Sequence, residues 1–416
     1  MHTPSTPLFT DVQITLFGML ARTLFGQDFT PPEDTDWEAV FREAHAQTVL
    51  LTAFCNVRGY GIPEETLGEI KRILRPYMMK DTVVHNAHTA IHTLLTENGI
   101  PYVIFKGAAS AYFYPQTFLR GMGDVDFFVP DEFREKALSL LLENGFEESL
   151  GNEELHTVLK WRGVKYELHY DLPGVPDGPM GERVRELCES MVGEAILTKT
   201  DSATFVRPAP LHHGLILLSH TQQHLLCEGL GLRHICDWAV FVHSMGESFT
   251  ALLEEPLKQV GLWRFARILS LVAVKAVGLP AAPWMTVDPA DHDTAERLLA
   301  DVLDGGNFGC KDTDRSRVYE SQLISGDGQS DVDRSRVGNG LSAVNRWVKD
   351  KWPAAEKCPL LLPFGWIYFL IRRLFLVVTG KRKRIRVKET VRNSRKRQSL
   401  YQQLCLFKTE PPTKPN

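Results

Sequence analysis

The stretch Arg120-Gly-Met-Gly-Asp124-Val-Asp126-Phe-Phe-Val129 decides the fold. Val125 to Val129 is a β-branched and aromatic run stopped by Pro130-Asp131, which predicts a strand. Side chains alternate along a strand, so Asp124 and Asp126 share one side while Val125 and Phe127 can pack on the other. Two adjacent carboxylates repel each other unless a cation sits between them, and oxygen-only ligation suits Mg²⁺ or Mn²⁺ rather than zinc. Upstream, Pro101 to Phe105 reads as a buried strand that ends at Lys106-Gly107 and opens a helix through Ser110. Gly107 permits close approach, the free N–H groups of a helix start can hold phosphate, and Lys106 adds a point positive charge. Downstream, Asp131 to Asn144 is an amphipathic helix ended by Gly145, and Leu155–Trp161 and Val164–Tyr170 are strands joined by a tight turn at Arg162-Gly163. Strand, helix, strand, helix and hairpin make a small α/β unit with a mixed sheet. Glu167 falls mid-strand, where a carboxylate is costly unless used. If its strand neighbours 125–129, it completes a three-carboxylate cluster that could hold two divalent ions; otherwise it pairs with Lys165 or a cross-strand partner.

The rest of the chain reads as mostly helical. Helical spacing covers 8–55, 63–75, 80–96, 211–227, 232–245, 251–277 and 291–303, while the polar, Gly/Asp/Ser-rich residues 304–333 predict a long loop or mobile insertion. His220 and His224 share a helical face, open to pocket-lining, interhelical hydrogen-bonding, packing or metal-binding roles; Arg233 and Asp237, also four apart, read most simply as an intrahelical pair. Arg120 is placed either to meet a phosphate or to neutralise the acids. Residues 359–379 form the most apolar stretch, but Pro363, Gly365 and Arg372-Arg373 interrupt it. A packed helix or a surface-lying membrane helix fits better than a span, and no integral membrane segment is expected.

With 416 residues, 44% hydrophobic and 24% charged, the chain is ordinary globular protein of two or three domains. The net charge of -4 hides an asymmetry: residues 1–380 carry 35 basic and 49 acidic side chains, whereas 381–399 carry ten basic and one acidic. That basic block fits RNA, an anionic membrane surface, or a merely solvated tail. Seven cysteines without a CxxC pair argue for a reducing compartment, and the N-terminus lacks a signal-peptide pattern. The expectation is a cytoplasmic protein, with peripheral attachment at the inner face of the membrane left open. No GxxxxGK[ST], GxGxxG or HExxH occurs, which excludes a P-loop, a Rossmann dinucleotide site and a zincin helix.

The set of strand-Lys106-Gly107-helix, then Arg120-x-x-x-Asp124-x-Asp126, then a strand carrying Glu167-x-His169 resembles the polymerase-beta-like nucleotidyltransferase superfamily. More closely, it resembles the bacterial family of uncharacterised nucleotidyltransferases, across roughly residues 85–375. The resemblance implies an α+β fold, a catalytic core with a small mixed sheet flanked by N- and C-terminal helical regions. It implies Asp124, Asp126 and Glu167 as catalytic metal-binding acids. It also implies Lys106, Gly107, Ser110, Arg120 and His169 on the nucleotide, and His220, His224, Arg233 and Asp237 near the second substrate. Leu361-Leu362-Pro363 and Trp366 look like the family's C-terminal portion. One departure is that Lys106-Gly107-Ala108-Ala109 replaces the Gly-Gly or Gly-Ser of better-studied members, with Ser110 the nearest hydroxyl. The expected layout is a helical region 1–96, a core 97–175, a helical substrate domain 176–303, a loop 304–345 and an apolar helix with basic tail 346–416. The expected activity is Mg²⁺- or Mn²⁺-dependent transfer of a nucleoside monophosphate from a triphosphate, ATP among the candidates, to the hydroxyl of an RNA, protein or small molecule. The alternative is a non-catalytic nucleotide-binding or scaffold protein, possible at a membrane surface; a phosphohydrolase is a third reading, disfavoured by the Lys-Gly turn.

Overall fold

The computed structural model describes residues 8–149, 156–311, 324, 336–352, 354–379 and 387–408. The chain opens with four helices, α1 (Asp11–Phe25), α2 (Trp37–Ala46), α3 (Leu50–Phe54) and α4 (Glu64–Glu97). The helical span expected over 8–55 is broken between Gly26 and Asp36, where Pro31 and Pro32 remove two backbone donors. The two helices expected at 63–75 and 80–96 are instead one, α4, of 34 residues with Pro76 inside it. Pro76 and Arg72 both face solvent, so water can take the carbonyl that the missing N–H leaves unpaired. At 1.5 Å per residue α4 is about 51 Å long, enough to run under the sheet and out along the N-terminal helices.

The sheet is built from β1 (Val103–Ile104), β2 (Asp124–Phe128), β3 (Glu147–Glu148), β4 (His156–Trp161) and β5 (Val164–His169), in the order β1-β2-β5-β4-β3. Only β2 and β5 run parallel; the other neighbours are antiparallel. Helices α5 (Ala108–Ala111) and α6 (Arg134–Glu143) connect these strands. Period-two alternation gives each central strand one apolar face. Val125, Phe127, Tyr166 and Leu168 are fully buried and join Val84, Ile91 and Leu95 of α4 and Leu141 of α6 in one core. At about 25 cal/mol per Å² of apolar surface, burying side chains of this size stabilises by about 1.5–3 kcal/mol each. The opposite face of β2 and β5 carries Asp124, Asp126, Lys165, Glu167 and His169.

After α7 (Pro179–Cys188), a hairpin of β6 (Ile196–Lys199) and β7 (Thr204–Arg207) appears where the sequence reads as returning to helix. Phe205 from this hairpin is buried in the sheet core. A helical layer follows, comprising α8 (Pro210–Cys227), α9 (Leu232–Met245), α10 (Ser248–Gln259), α11 (Trp263–Val277) and α12 (Ala290–Gly305). The helical stretch expected over 251–277 is interrupted at Gly261, which holds φ +67° and lies where an added Cβ would fall 2.3 Å from the Lys408 backbone nitrogen. Trp238 Nε1 donates to Ser270 Oγ at 2.9 Å inside this layer. A buried ion pair, Arg267 Nη1 to Asp291 Oδ2 at 2.7 Å, ties α11 to the start of α12.

Of the loop expected at 304–345, residues 312–323 and 325–335 lie outside the described residues, and from Arg336 onward the chain is helix rather than loop. Helices α13 (Arg336–Lys351), α14 (Ala354–Lys357), α15 (Leu362–Val378) and α16 (Val387–Leu404) complete the chain. Trp347 of α13 packs edge-on against Phe369 of α15, and Trp366 Nε1 donates to Asn345 Oδ1 at 2.7 Å. Helix α16 docks on the helical layer, with Tyr401 OH donating to the Leu225 carbonyl at 2.9 Å and Arg397 Nε 3.3 Å from Asp301 Oδ1. Arg397 of the basic block is therefore a structural ion pair, whereas Arg392, Arg395 and Lys396 are exposed. Residues 381–386 of that block lie outside the described residues. The architecture is the α+β arrangement expected: a small mixed sheet flanked on both sides of the sequence by helices.

Candidate active site

Parallel pairing of β2 with β5 sets Asp124 beside Lys165 and Asp126 beside Glu167, on the sheet face away from the core. One ammonium joins the outer pair: Lys165 Nζ is 3.0 Å from Asp124 Oδ2 and 2.6 Å from Glu167 Oε1. The inner group is Asp126, only 5% exposed. Its Oδ1 is 3.0 Å from Lys106 Nζ and 3.1 Å from His169 Nε2. His169 Nε2 also lies 3.5 Å from Glu167 Oε2, so the imidazole bridges two carboxylates.

The charges follow from these contacts. Burial pushes the Asp126 carboxyl up, but Lys106 and then His169 outweigh it and hold the group well below the usual carboxylate range. Glu167 is likewise held low against burial, chiefly by its hydrogen bond to His169. Burial works to lower His169, yet its bonds to Asp126 and Glu167 raise it. Asp126, Glu167 and His169 can each aim one ligand atom at a common point, their donors lying within 4.8 Å of one another. Two ionised carboxylates in this set suit a hard divalent cation.

Lys106 sits at the end of β1, where the Phe105 N–H donates to the Asp126 carbonyl at 3.1 Å and carries the pairing one residue past the strand. Gly107 then takes φ +57°, and an added Cβ would lie 3.2 Å from His88 Nε2, so conformation and space both call for glycine. Helix α5 has a single turn of four residues, a much smaller dipole than the helix start read from the sequence. Ser110 is fully buried, its hydroxyl has no partner among the described residues, and it is not among the residues lining the cleft.

The helical layer closes the other side. Arg120 binds Asp237 through two nitrogens, Nε to Oδ1 at 3.0 Å and Nη2 to Oδ2 at 2.8 Å, and Tyr114 OH donates to the same carboxylate at 2.8 Å. The intrahelical Arg233–Asp237 pair read from the sequence gives way to this one, and Arg120 pairs with Asp237 rather than with Asp124 or Asp126. A bidentate guanidinium–carboxylate contact is shorter and stronger than a neutral hydrogen bond. Arg233 is half-buried beside Phe308, with its guanidinium carbon 5.7 Å from the ring centre. Lys106 Nζ reaches across to His220 Nε2 at 3.1 Å, and His220 Nε2 lies 2.8 Å from His224 Nε2.

Together these residues line a cleft of about 1300 Å³ between sheet and helices. The structure brings Asp124, Asp126, Glu167, His169, Lys106, Gly107, Arg120, His220, His224, Arg233 and Asp237 to it, and leaves Ser110 outside. Sequence reasoning missed His156, whose Nε2 is 3.9 Å from Glu167 Oε2; it stands opposite His169 in the β4–β5 register, which alternation along the hairpin could have revealed. It also missed His234, which comes from a different helix than His220 and His224 and has no spacing signal. A family model described as uncharacterised nucleotidyltransferase matches residues 33–278, starting well before the region of resemblance and stopping short of the C-terminal segment around Leu361 and Trp366. No curated protein matches the chain.

Proposed function

We propose, on the premise that the chain belongs to the uncharacterised nucleotidyltransferase family, that the cleft transfers a nucleoside monophosphate from a nucleoside triphosphate to an acceptor hydroxyl. The observation that carries this reading is the Asp126–Glu167 juxtaposition beside the Lys106-Gly107 turn. In the reaction the acceptor oxygen bonds to the α-phosphorus, and the bond from that phosphorus to the bridging oxygen breaks. The electron pair departs with pyrophosphate, and the hydroxyl proton passes to Glu167, which is more accessible than Asp126. Mg²⁺ or Mn²⁺ held by Asp126 and Glu167, with Asp124 beside them, would supply charge stabilisation to the phosphate oxygens. Lys106 and Lys165, released from the carboxylates, are then free to meet phosphate. A cleft of about 1300 Å³ exceeds the roughly 300–1000 Å³ of a single-ligand pocket and has room for a triphosphate and a compact acceptor. His220, His224 and Arg233 line the acceptor side.

A second reading, nucleotide binding without turnover, is favoured by one fact: Lys106, Lys165 and His169 lie at ion-pair distance from the acids and balance their charge. Calorimetry with non-hydrolysable triphosphate analogues and Mg²⁺, followed by assay of pyrophosphate release, separates the two. Asp126→Asn should weaken metal-dependent binding by at least about tenfold. Wild-type protein that binds no nucleotide would overturn both readings, and binding as strong in Asp126→Asn as in the wild type would overturn the first. Binding without pyrophosphate release from any acceptor would favour the second.

We also infer attachment at an anionic membrane surface. No helix among the described residues is long and apolar enough to cross a membrane. Helix α15, however, exposes Phe364, Ile367, Ile371 and Phe375 on one face, each more than half exposed, and the basic block follows it directly.

A further inference from the structure

The three cleft histidines form a second cluster next to the acidic one. His220 and His224 lie one turn apart on α8 with ring centres 4.2 Å apart, and His234 enters from the first turn of α9 with its ring 5.2 Å from His224. Each can offer a nitrogen, the three donors lying within 4.8 Å of one another. His234 is 5% exposed. Its Nε2 is buried and has no hydrogen-bond partner among the described residues, while Nδ1 accepts only a long contact from the Gly231 N–H at 3.4 Å. Ligation through Nε2 moves the ring proton to Nδ1 and gives that weak contact up. The nitrogens of His220 and His224 approach to 2.8 Å.

Hydrogen bonding accounts poorly for this arrangement. His220 Nε2 has one lone pair, yet Lys106 Nζ and His224 Nε2 both lie within bonding distance of it. Burial and then Lys106 hold His220 and His224 below their usual range, His224 down to about 3, so at neutral pH both are uncharged bases. Three neutral imidazoles from two rigid helices, converging at a cleft wall, form a nitrogen donor set. Such a set selects zinc-class ions over Mg²⁺, which demands oxygen.

We propose that His220, His224 and His234 form a binding site for a zinc-class divalent ion whose fourth coordination position opens into the cleft. This site is separate from the carboxylates and does not depend on nucleotide transfer. Lys106 lies between the two clusters, 3.1 Å from His220 Nε2 and 3.0 Å from Asp126 Oδ1. Entry of a cation at the histidines makes the ammonium give up His220 and keep Asp126. The open position is the one at which catalytic zinc sites hold water or a substrate donor.

The test is titration of chelator-stripped full-length protein with Co²⁺, read by its visible absorption, in the presence of excess Mg²⁺ and with Zn²⁺ as competitor. The expected result is one equivalent bound with a four-coordinate spectrum, displaced by Zn²⁺ and not by Mg²⁺. Affinity should fall on the order of 100-fold in His234→Ala and in His224→Gln. It should survive in Asp126→Asn and rise in Lys106→Met, where the competing positive charge is gone. Circular dichroism confirms that each variant is folded, and His224→Gln decides the matter if His234→Ala is not. Absence of Co²⁺ and Zn²⁺ binding by the wild type overturns the proposal. So does binding that persists without His224 and His234 and is lost with Asp126.

Discussion

His213 shows how much a single buried group can weigh. It is fully buried on α8 between Phe113 and Phe241, with ring centres 4.9 and 5.2 Å away, and neither of its nitrogens has a hydrogen-bond partner among the described residues. Burial, reinforced by Arg207 and Arg120 and opposed by Asp237, pushes its pKa down to about 3. The sign of the pH effect follows. The unfolded chain takes up a proton near pH 6.5 while the native histidine stays neutral, so stability is present above that pH and lost as pH falls toward 3. The slope in that window is up to about 1.4 kcal/mol per pH unit from this residue. His213→Leu should raise stability at pH 7 by about 1–3 kcal/mol by removing unsatisfied nitrogens. The advantage should widen at pH 5, as read by urea melts at both values; an equal difference at the two pH values would mean that His213 does not stay neutral. Legibility at this scale was uneven for a physical reason. Asp124, Asp126 and Glu167 could be read because strand alternation and the cost of a mid-strand carboxylate are local facts. The partner of Asp237 could not, because four-residue helical arithmetic sees only the helix's own face and Arg120 arrives from 117 residues away.

Elements were legible where periodicity was strong and boundaries where a breaker was decisive. Strands β2, β4 and β5 and helices α8 and α9 fall within a residue or two of their sequence readings. Their pairing was not readable: nothing local says that β5 runs parallel to β2, and the cluster depends on that one choice. The β6–β7 hairpin was missed because its strands are only four residues long and β6 shows no alternation, Thr198 being its one buried position. Tertiary support likewise explains the start of α12. Asp291 is fully buried, with Oδ2 2.7 Å from Arg267 Nη1 and Oδ1 3.1 Å from Arg264 Nη2. The same carboxylate accepts from the Asp288 N–H at 3.2 Å. Asp291→Asn would leave buried guanidinium charge facing a neutral group, and breaking such a pair costs about 3–5 kcal/mol. Thermal melts should register that loss with little change in nucleotide affinity, since α12 lies away from the cleft carboxylates. A loss under about 1 kcal/mol would mean that water reaches Arg267 and the pair is not structural.

The whole molecule joins an acidic body to one apolar helix face and one basic block. Phe364, Ile367, Ile371 and Phe375 are 63, 55, 62 and 61% exposed, at spacings of three, four and four residues. These spacings put them on a single stripe. The opposite side of α15 is taken by α13, through Trp347 and Asn345. In the sequence the stripe is followed by residues 381–399, which carry ten basic side chains against one acidic, Arg397 among them being held by Asp301. An apolar stripe followed in the chain by clustered positive charge fits an anionic bilayer surface, where each Lys or Arg adds about 1 kcal/mol and each buried apolar side chain somewhat more. RNA would engage the charge and leave the stripe in water. Full-length protein should therefore float with vesicles containing phosphatidylserine, release as salt rises, and stay unbound with purely zwitterionic vesicles. Phe364→Glu combined with Ile371→Glu should weaken binding by on the order of 100-fold or more, because two apolar anchors are lost and two negative charges face the lipid. Calorimetric nucleotide affinity serves as the control, since neither side chain lines the cleft. Failure of the wild type to float overturns the membrane reading, as does flotation that the double variant leaves intact; salt-sensitive RNA binding in the same protein would then assign the basic block to nucleic acid.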